Sequence, residues 1–154
     1  MRAKITPPRT RENKIEKRRD LLITYLNGPG KSGATYARTY AKENDILLEG
    51  VVEPSKAQRR ISTEEEKPNA VVVVDDIAGT GKTVGEAIDK LLVDLGPAMA
   101  ARGIPLVVIL MYATEEAQSK VQARLQAHPQ VTTYLHVCNL LSDANRAFPV
   151  NNIS

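Results

Sequence analysis

Continuous runs of apolar residues recur along the chain, and stretches with apolar residues at every third or fourth position lie between them. The clearest run is Val71–Val74, four β-branched residues in succession, which is typical of a strand buried on both faces. Runs at Ile46–Val52 and Ile104–Met111 predict further buried strands, and the alternating run Val131–Val137 predicts an edge strand. The run Leu21–Leu26 fits either a strand or the end of a helix.

Helical spacing follows three of these runs. One helix is predicted over residues 32–43, and a second begins near Thr83, where Thr83 and Glu86 form a capping-box pattern. The segment Pro97–Gly103 is expected to end that second helix. Thr114 is the predicted N-cap of a third helix that runs to about residue 127. Its inward positions are expected to be Ala117, Val121 and Leu125.

The alternation of strands and helices predicts an α/β domain with a largely parallel sheet flanked by helices. In such sheets ligands bind at the carboxyl ends of the strands. Residues 53–69 show no apolar periodicity and carry many charges, so we expect a lid or a disordered loop there.

Composition narrows the class of protein without naming a function. The chain has 154 residues, enough for one domain with a core, and no apolar run long enough to span a membrane. Its single cysteine, Cys138, rules out an internal disulfide and favours a cytoplasmic location. Cys138 and the nearby His136 are interpreted as core or edge residues, because neither has an evident catalytic partner in sequence.

Positive charge is concentrated in residues 1–20, which hold eight Lys and Arg residues against three acidic ones. Such a segment could contact nucleic acid, but a solvated N-terminal segment is the favoured interpretation. We therefore divide the chain into a basic segment, residues 1–20, and a domain over residues 21–154. The last residues contain no obvious closing element, so we expect the domain to continue beyond them.

The most informative stretch joins the Val71–Val74 run to the helix after it. Asp75 and Asp76 come first, and a small-residue turn follows that is rich in backbone and side-chain donors, namely Ala78, Gly79, Thr80, Gly81, Lys82 and Thr83. A glycine turn that opens a helix is suited to binding a phosphate. A P-loop would need glycine at position 76, where this chain has aspartate, so hydrolysis of ATP is the least favoured reading.

This stretch, VVVVDDIAGTGKT, resembles the phosphoribosyl pyrophosphate signature of type I phosphoribosyltransferases. The resemblance implies the fold of that family and Mg²⁺ as a cofactor. It also implies that Asp75 and Asp76 are catalytic and metal-binding residues that hold the ribose hydroxyls, and that residues 78–83 bind the 5′-phosphate. Phosphoribosyl pyrophosphate would be the substrate.

In the same family, the first strand leads into a pyrophosphate-binding loop. The turn over residues 27–33 stands in the matching order, so Gly30, Lys31 and Ser32 are candidate pyrophosphate ligands, although a simple turn between helices is an equally good interpretation. The family's lid would place Arg59 and Arg60 near the pyrophosphate. Purine-using members carry an Asp directly before Thr-Gly-Lys-Thr, and this chain has Gly79 there, so the acceptor base is left open.

A finer resemblance is to bacterial phosphoribosyltransferase-like domains of defence-type operons. It rests on three segments, GPGKSGATYARTYAKEN, VDDIAGTGKT and LSDANRAF. Two functions are therefore carried forward: transfer of a phosphoribosyl group to or from an acceptor, and nucleotide binding without turnover by a regulatory module. In either case we expect a small-molecule ligand, no membrane association, and a homo-oligomer or a larger complex.

Overall fold

The computed structural model describes residues 16–26, 32–63 and 67–142. Their four strands form one parallel sheet in the order β1-β2-β3-β4, which confirms the predicted α/β fold. In chain order the elements are β1 (Leu21–Thr24), α1 (Ser32–Glu43), a 3-10 turn (Leu48–Gly50), α2 (Pro54–Thr63), β2 (Ala70–Ala78), α3 (Lys82–Arg102), β3 (Leu106–Thr114), α4 (Glu115–Gln126) and β4 (Thr133–Leu141).

The run Val71–Val74 is buried on both sides, because helices cover both faces of the sheet there. Val71 and Val73 belong to a large apolar cluster formed with α2, α3 and α4. Val72 and Val74 belong to a smaller cluster on the other face, where α1 contributes Ala37 and Ala41. The alternation of the strand therefore divides its side chains between two cores.

The ambiguous run at Leu21–Leu26 is a strand over its first four residues. β1 pairs in parallel with β2, with Leu21 opposite Ala70 and Thr24 opposite Val73. Because a strand precedes it, the glycine-rich turn at residues 27–33 leads from β1 into α1 and does not join two helices. Residues 27–31 of this turn lie outside the described part of the chain.

The predicted strand at Ile46–Val52 is wrong. This segment makes two isolated bridges, one between Ile46 and Arg18 ahead of β1 and one between Val51 and Ile23 of β1, and the 3-10 turn separates them. Gly50 lies close against β1, since a Cβ there would come within 2.9 Å of the Leu21 carbonyl oxygen. Glu49 and Gly50 interrupt the apolar run, so the segment crosses the edge of β1 without extending the sheet.

The predicted lid at residues 53–69 is also corrected, because most of this segment forms helix α2. Pro54 occupies the first helical position, which suits its fixed backbone angle. Ala57 and Ile61, one helical turn apart, are fully buried against the main core. Two apolar residues were too few to give a periodic pattern, yet they suffice to anchor a short helix.

Helix α3 differs from the prediction at its N-terminus and ends within the predicted segment Pro97–Gly103. It begins at Lys82 with Gly81 as N-cap and no side-chain cap hydrogen bond, so the capping box at Thr83 is wrong. It also continues through Pro97 to Arg102 and ends at Gly103, whose φ of 64° is left-handed. Proline removes the hydrogen bond to the carbonyl of Val93, a residue that is 66% exposed on the solvent side. Burial of Met99 beyond the proline favours continuation of the helix.

The predicted third helix is confirmed as α4, with Thr114 as its N-cap and Ala117, Val121 and Leu125 buried. The predicted edge strand is β4, which lies at the end of the described sheet. His136 and Cys138 are exposed on β4, so both are edge residues and not core residues. Among the described helices, none combines the length and apolar character that a membrane span requires.

Candidate functional site

The acidic pair lies near the carboxyl end of a central strand of the sheet. β2 extends through Ala78, so Asp75 and Asp76 are part of the strand and do not follow it. Asp75 stands opposite Leu110 of β3, is 2% exposed, and accepts a hydrogen bond of 2.9 Å from the backbone N–H of Asp76. Asp76 is half-buried. The two carboxylates are therefore unequal, and Asp76 is the one more accessible to a ligand.

The N-terminus of α1 meets this acidic pair. The Ser32 hydroxyl donates a hydrogen bond of 2.6 Å to Oδ2 of Asp76. A Cβ on Gly33 would lie 3.5 Å from Oδ1 of Asp75 and 3.3 Å from Cβ of Tyr25, so glycine allows the helix to approach closely. The positive end of a helix dipole thus lies beside two acidic groups. The structure brings the predicted ligand Ser32 to the pair, whereas Gly30 and Lys31 lie outside the described residues.

The glycine turn after β2 is held against the first turn of α4. The Thr114 hydroxyl donates a hydrogen bond of 2.5 Å to the carbonyl of Gly79. Gly81 has a φ of 80°, and a Cβ there would lie 2.9 Å from Cα of Ala117. Thr80, Lys82 and Thr83 are exposed, as phosphate ligands would need to be. The contact with α4 links positions far apart in sequence, so no sequence signal indicated it.

The environment of Asp75 favours its protonated form. Burial, a side-chain hydrogen bond to Asp76 and the charge of Asp76 raise the pKa of Asp75 to about 6, against the opposing effect of the hydrogen bond from the Asp76 N–H. A buried carboxylate with a second acidic group beside it is stabilised by a cation or a hydroxyl donor from a ligand. The acidic pair can therefore bind either a cation or a hydroxyl donor of a ligand.

The donor set fits a magnesium ion only when a ligand supplies further oxygens. In the part of the chain that the structure describes, no group of three or more His, Cys, Asp or Glu residues could hold a metal. Asp75 and Asp76 supply carboxylate oxygens, the ligand type that Mg²⁺ takes, and Mg²⁺ commonly binds one or two carboxylates together with substrate phosphates and water. A magnesium ion shared with a phosphorylated ligand is compatible with these residues.

The arginines proposed for a lid are not brought to the site as a pair. Arg60 donates to the carbonyl of Glu49 and lines a cavity of about 680 Å³. The other residues around this cavity include Leu21 and Asn69, which lie at the amino ends of β1 and β2, opposite the acidic pair. Arg59 is exposed on α2. The predicted role of Arg60 beside a pyrophosphate is therefore wrong.

A parallel α/β sheet with an acidic pair on a central strand, followed by a glycine turn that opens a helix, defines a phosphoribosyltransferase-like domain. The chain belongs to the PRTase-CE family, whose model matches residues 3–154. The predicted resemblance is thereby confirmed at the level of the family. No curated protein matches this chain.

The raised pKa of Asp75 predicts how stability depends on pH. Asp75 binds its proton more tightly in the folded than in the unfolded chain, so its contribution to stability falls as pH rises from about 4 to about 6. Asp75→Asn removes this effect, so its Tm relative to wild type should rise by roughly 3–6 °C between pH 4 and pH 7. Thermal unfolding of both proteins at each pH measures this change, and a constant difference would contradict it.

Proposed function

We propose that this protein binds phosphoribosyl pyrophosphate, or a nucleotide with a ribose 5-phosphate, together with Mg²⁺, and transfers the phosphoribosyl group to or from an acceptor. The observation that carries the proposal is the hydrogen bond between Ser32 and Asp76. It brings the N-terminus of α1 to the acidic pair of β2. A ligand with a phosphate, a ribose and a pyrophosphate could contact both segments and the glycine turn simultaneously.

The three parts of the site suit three parts of such a ligand. Asp76, with Asp75 behind it, would accept hydrogen bonds from the ribose hydroxyls. The backbone N–H groups at the start of α3, with Thr80 and Thr83, would bind the 5′-phosphate. The N-terminus of α1 would face the pyrophosphate, where its dipole favours the negative charge that develops as the leaving group departs.

In the transfer step, the bond from C1 of the ribose to the pyrophosphate oxygen breaks and a bond from C1 to the acceptor forms. Bound Mg²⁺ would supply charge neutralisation on the pyrophosphate. Asp76 would hold it through a carboxylate oxygen, since this side chain is the more accessible of the pair. The role of the chain is to orient the ribose and both phosphate groups, because correct positioning lowers the barrier to displacement.

A second candidate function is nucleotide binding without turnover, in a regulatory module of a bacterial defence-type system. The observation that favours it is Gly79, which stands where purine-using relatives have a proton-transfer acid. A Cβ at Gly79 would have nothing within 4 Å, so no neighbouring atom explains the glycine on steric grounds. The two candidates share one ligand site and differ in whether pyrophosphate is released.

Calorimetric titration distinguishes these possibilities when it is combined with an assay of turnover. We expect phosphoribosyl pyrophosphate to bind in the presence of Mg²⁺, to bind much more weakly in EDTA, and to bind in preference to ATP. Release of pyrophosphate with a panel of purine and pyrimidine bases would support transfer, and binding without release would support the regulatory module. Binding of ATP alone would contradict phosphoribosyl pyrophosphate as the ligand and would favour a P-loop function.

A further inference from the structure

The Thr114 hydroxyl makes two hydrogen bonds in opposite directions. It accepts from the backbone N–H of Ala117 at 3.0 Å, as an N-cap does. It also donates to the carbonyl of Gly79 at 2.5 Å. A hydroxyl has one donor and two acceptor sites, so both bonds can form simultaneously. The second bond has no part in capping the helix and connects it to the glycine turn.

The sheet register brings these groups together. β2 and β3 pair as far as Ala78 and Ala113, so Gly79 and Thr114 are the next residues on the two strands. Two residues later the turn contacts α4 again, because Gly81 lies against Ala117. Helix α4 therefore holds both glycines of the turn, one by a hydrogen bond and the other by close packing.

We infer that Thr114 is a positioning residue for the glycine turn, and that the first turn of α4 orders this turn before any ligand binds. The donated hydrogen bond fixes the carbonyl of Gly79 and, with it, the direction in which the following N–H groups point. A turn that is already ordered loses less conformational entropy when it binds a phosphate. The effect on ligand affinity rests on the proposed function, whereas the ordering of the turn does not.

Three substitutions at position 114 separate the two hydrogen bonds. Thr114→Ser keeps the hydroxyl and both bonds. Thr114→Val removes both. Thr114→Asp keeps an acceptor for the Ala117 N–H, but an ionised carboxylate cannot donate to Gly79. A fourth variant, Val121→Ala, destabilises the core of the same helix but leaves the Thr114 hydroxyl unchanged, and serves as the matched control.

Hydrogen exchange of the amides of residues 79–82 in the ligand-free protein is the primary measurement. We expect exchange to be about tenfold faster in Thr114→Val and Thr114→Asp, since one net hydrogen bond is worth roughly that factor. Exchange should stay near the wild-type rate in Thr114→Ser and Val121→Ala. By calorimetry, the Kd for phosphoribosyl pyrophosphate should rise about tenfold in Thr114→Val and little in Thr114→Ser.

Unchanged exchange in folded Thr114→Asp, or equal acceleration in Val121→Ala, would overturn the positioning role. If Thr114→Val does not fold, comparison of the exchange rates of Thr114→Asp and Thr114→Ser still tests the positioning role. If the wild-type protein fails to bind phosphoribosyl pyrophosphate but Thr114→Asp accelerates exchange of the turn, the proposed function fails and the positioning role stands. The two proposals therefore fail through different measurements.

Discussion

An Asp75→Asn, Asp76→Asn double variant is expected to bind phosphoribosyl pyrophosphate at least about 100-fold more weakly than wild type and to remain folded. Under the proposed function the loss is large, because charge-assisted hydrogen bonds to the ribose and a carboxylate ligand for Mg²⁺ would disappear together. Folding should survive because Asn has nearly the shape of Asp, and the buried position 75 already favours an uncharged side chain. Calorimetry with Mg²⁺ and thermal unfolding measure the two effects.

The single variants Asp75→Asn and Asp76→Asn should lose different amounts of ligand affinity. Asp76→Asn should account for most of the lost affinity, since Asp76 is the more accessible carboxylate and accepts from Ser32. Asp94→Asn, an exposed substitution on α3, is the control and should bind as wild type does. Undiminished binding by the folded double variant would remove the acidic pair from the ligand site.

Gly81→Val is expected to destabilise the protein by about 3–5 kcal/mol, a large part of the stability of a typical domain. The residue has a left-handed φ of 80°, which β-branched side chains strongly disfavour. Its new side chain would also collide with the backbone of Ala117, where even a Cβ comes within 2.9 Å of Cα and 3.1 Å of the carbonyl oxygen. Chemical denaturation of the variant measures the loss.

The matched control is Gly79→Ala in the same turn. A Cβ at position 79 meets no atom within 4 Å, so this variant should lose less than about 1 kcal/mol. If Gly81→Val and Gly79→Ala had equal stability, the turn would not pack on α4 in solution. Because Gly81→Val disturbs the fold itself, weaker ligand binding by this variant would not by itself show that the turn binds a phosphate.

Much of the fold could be predicted from patterns within single segments. The valine run, the helix at residues 32–43 and the cap at Thr114 each depend on neighbours within a few positions, which is the range over which periodicity and capping act. The wrong predictions concern segments whose structure depends on contacts between residues that are far apart in the sequence. Two buried residues, Ala57 and Ile61, hold α2 against the core, although the segment shows no apolar periodicity.

The sequence by itself determined the acidic pair, the glycine turn after it and membership of a phosphoribosyltransferase-like fold, because these are contiguous in the chain. Only the tertiary structure decided how the parts of the site are related. It placed Ser32 and Gly33 against the acidic pair, buried Asp75 more deeply than Asp76, directed Arg60 to the other end of the sheet and anchored the glycine turn to Thr114. The physical reason is that a parallel sheet collects the ends of strands distant in sequence at one edge, and no local pattern records which side chains meet there.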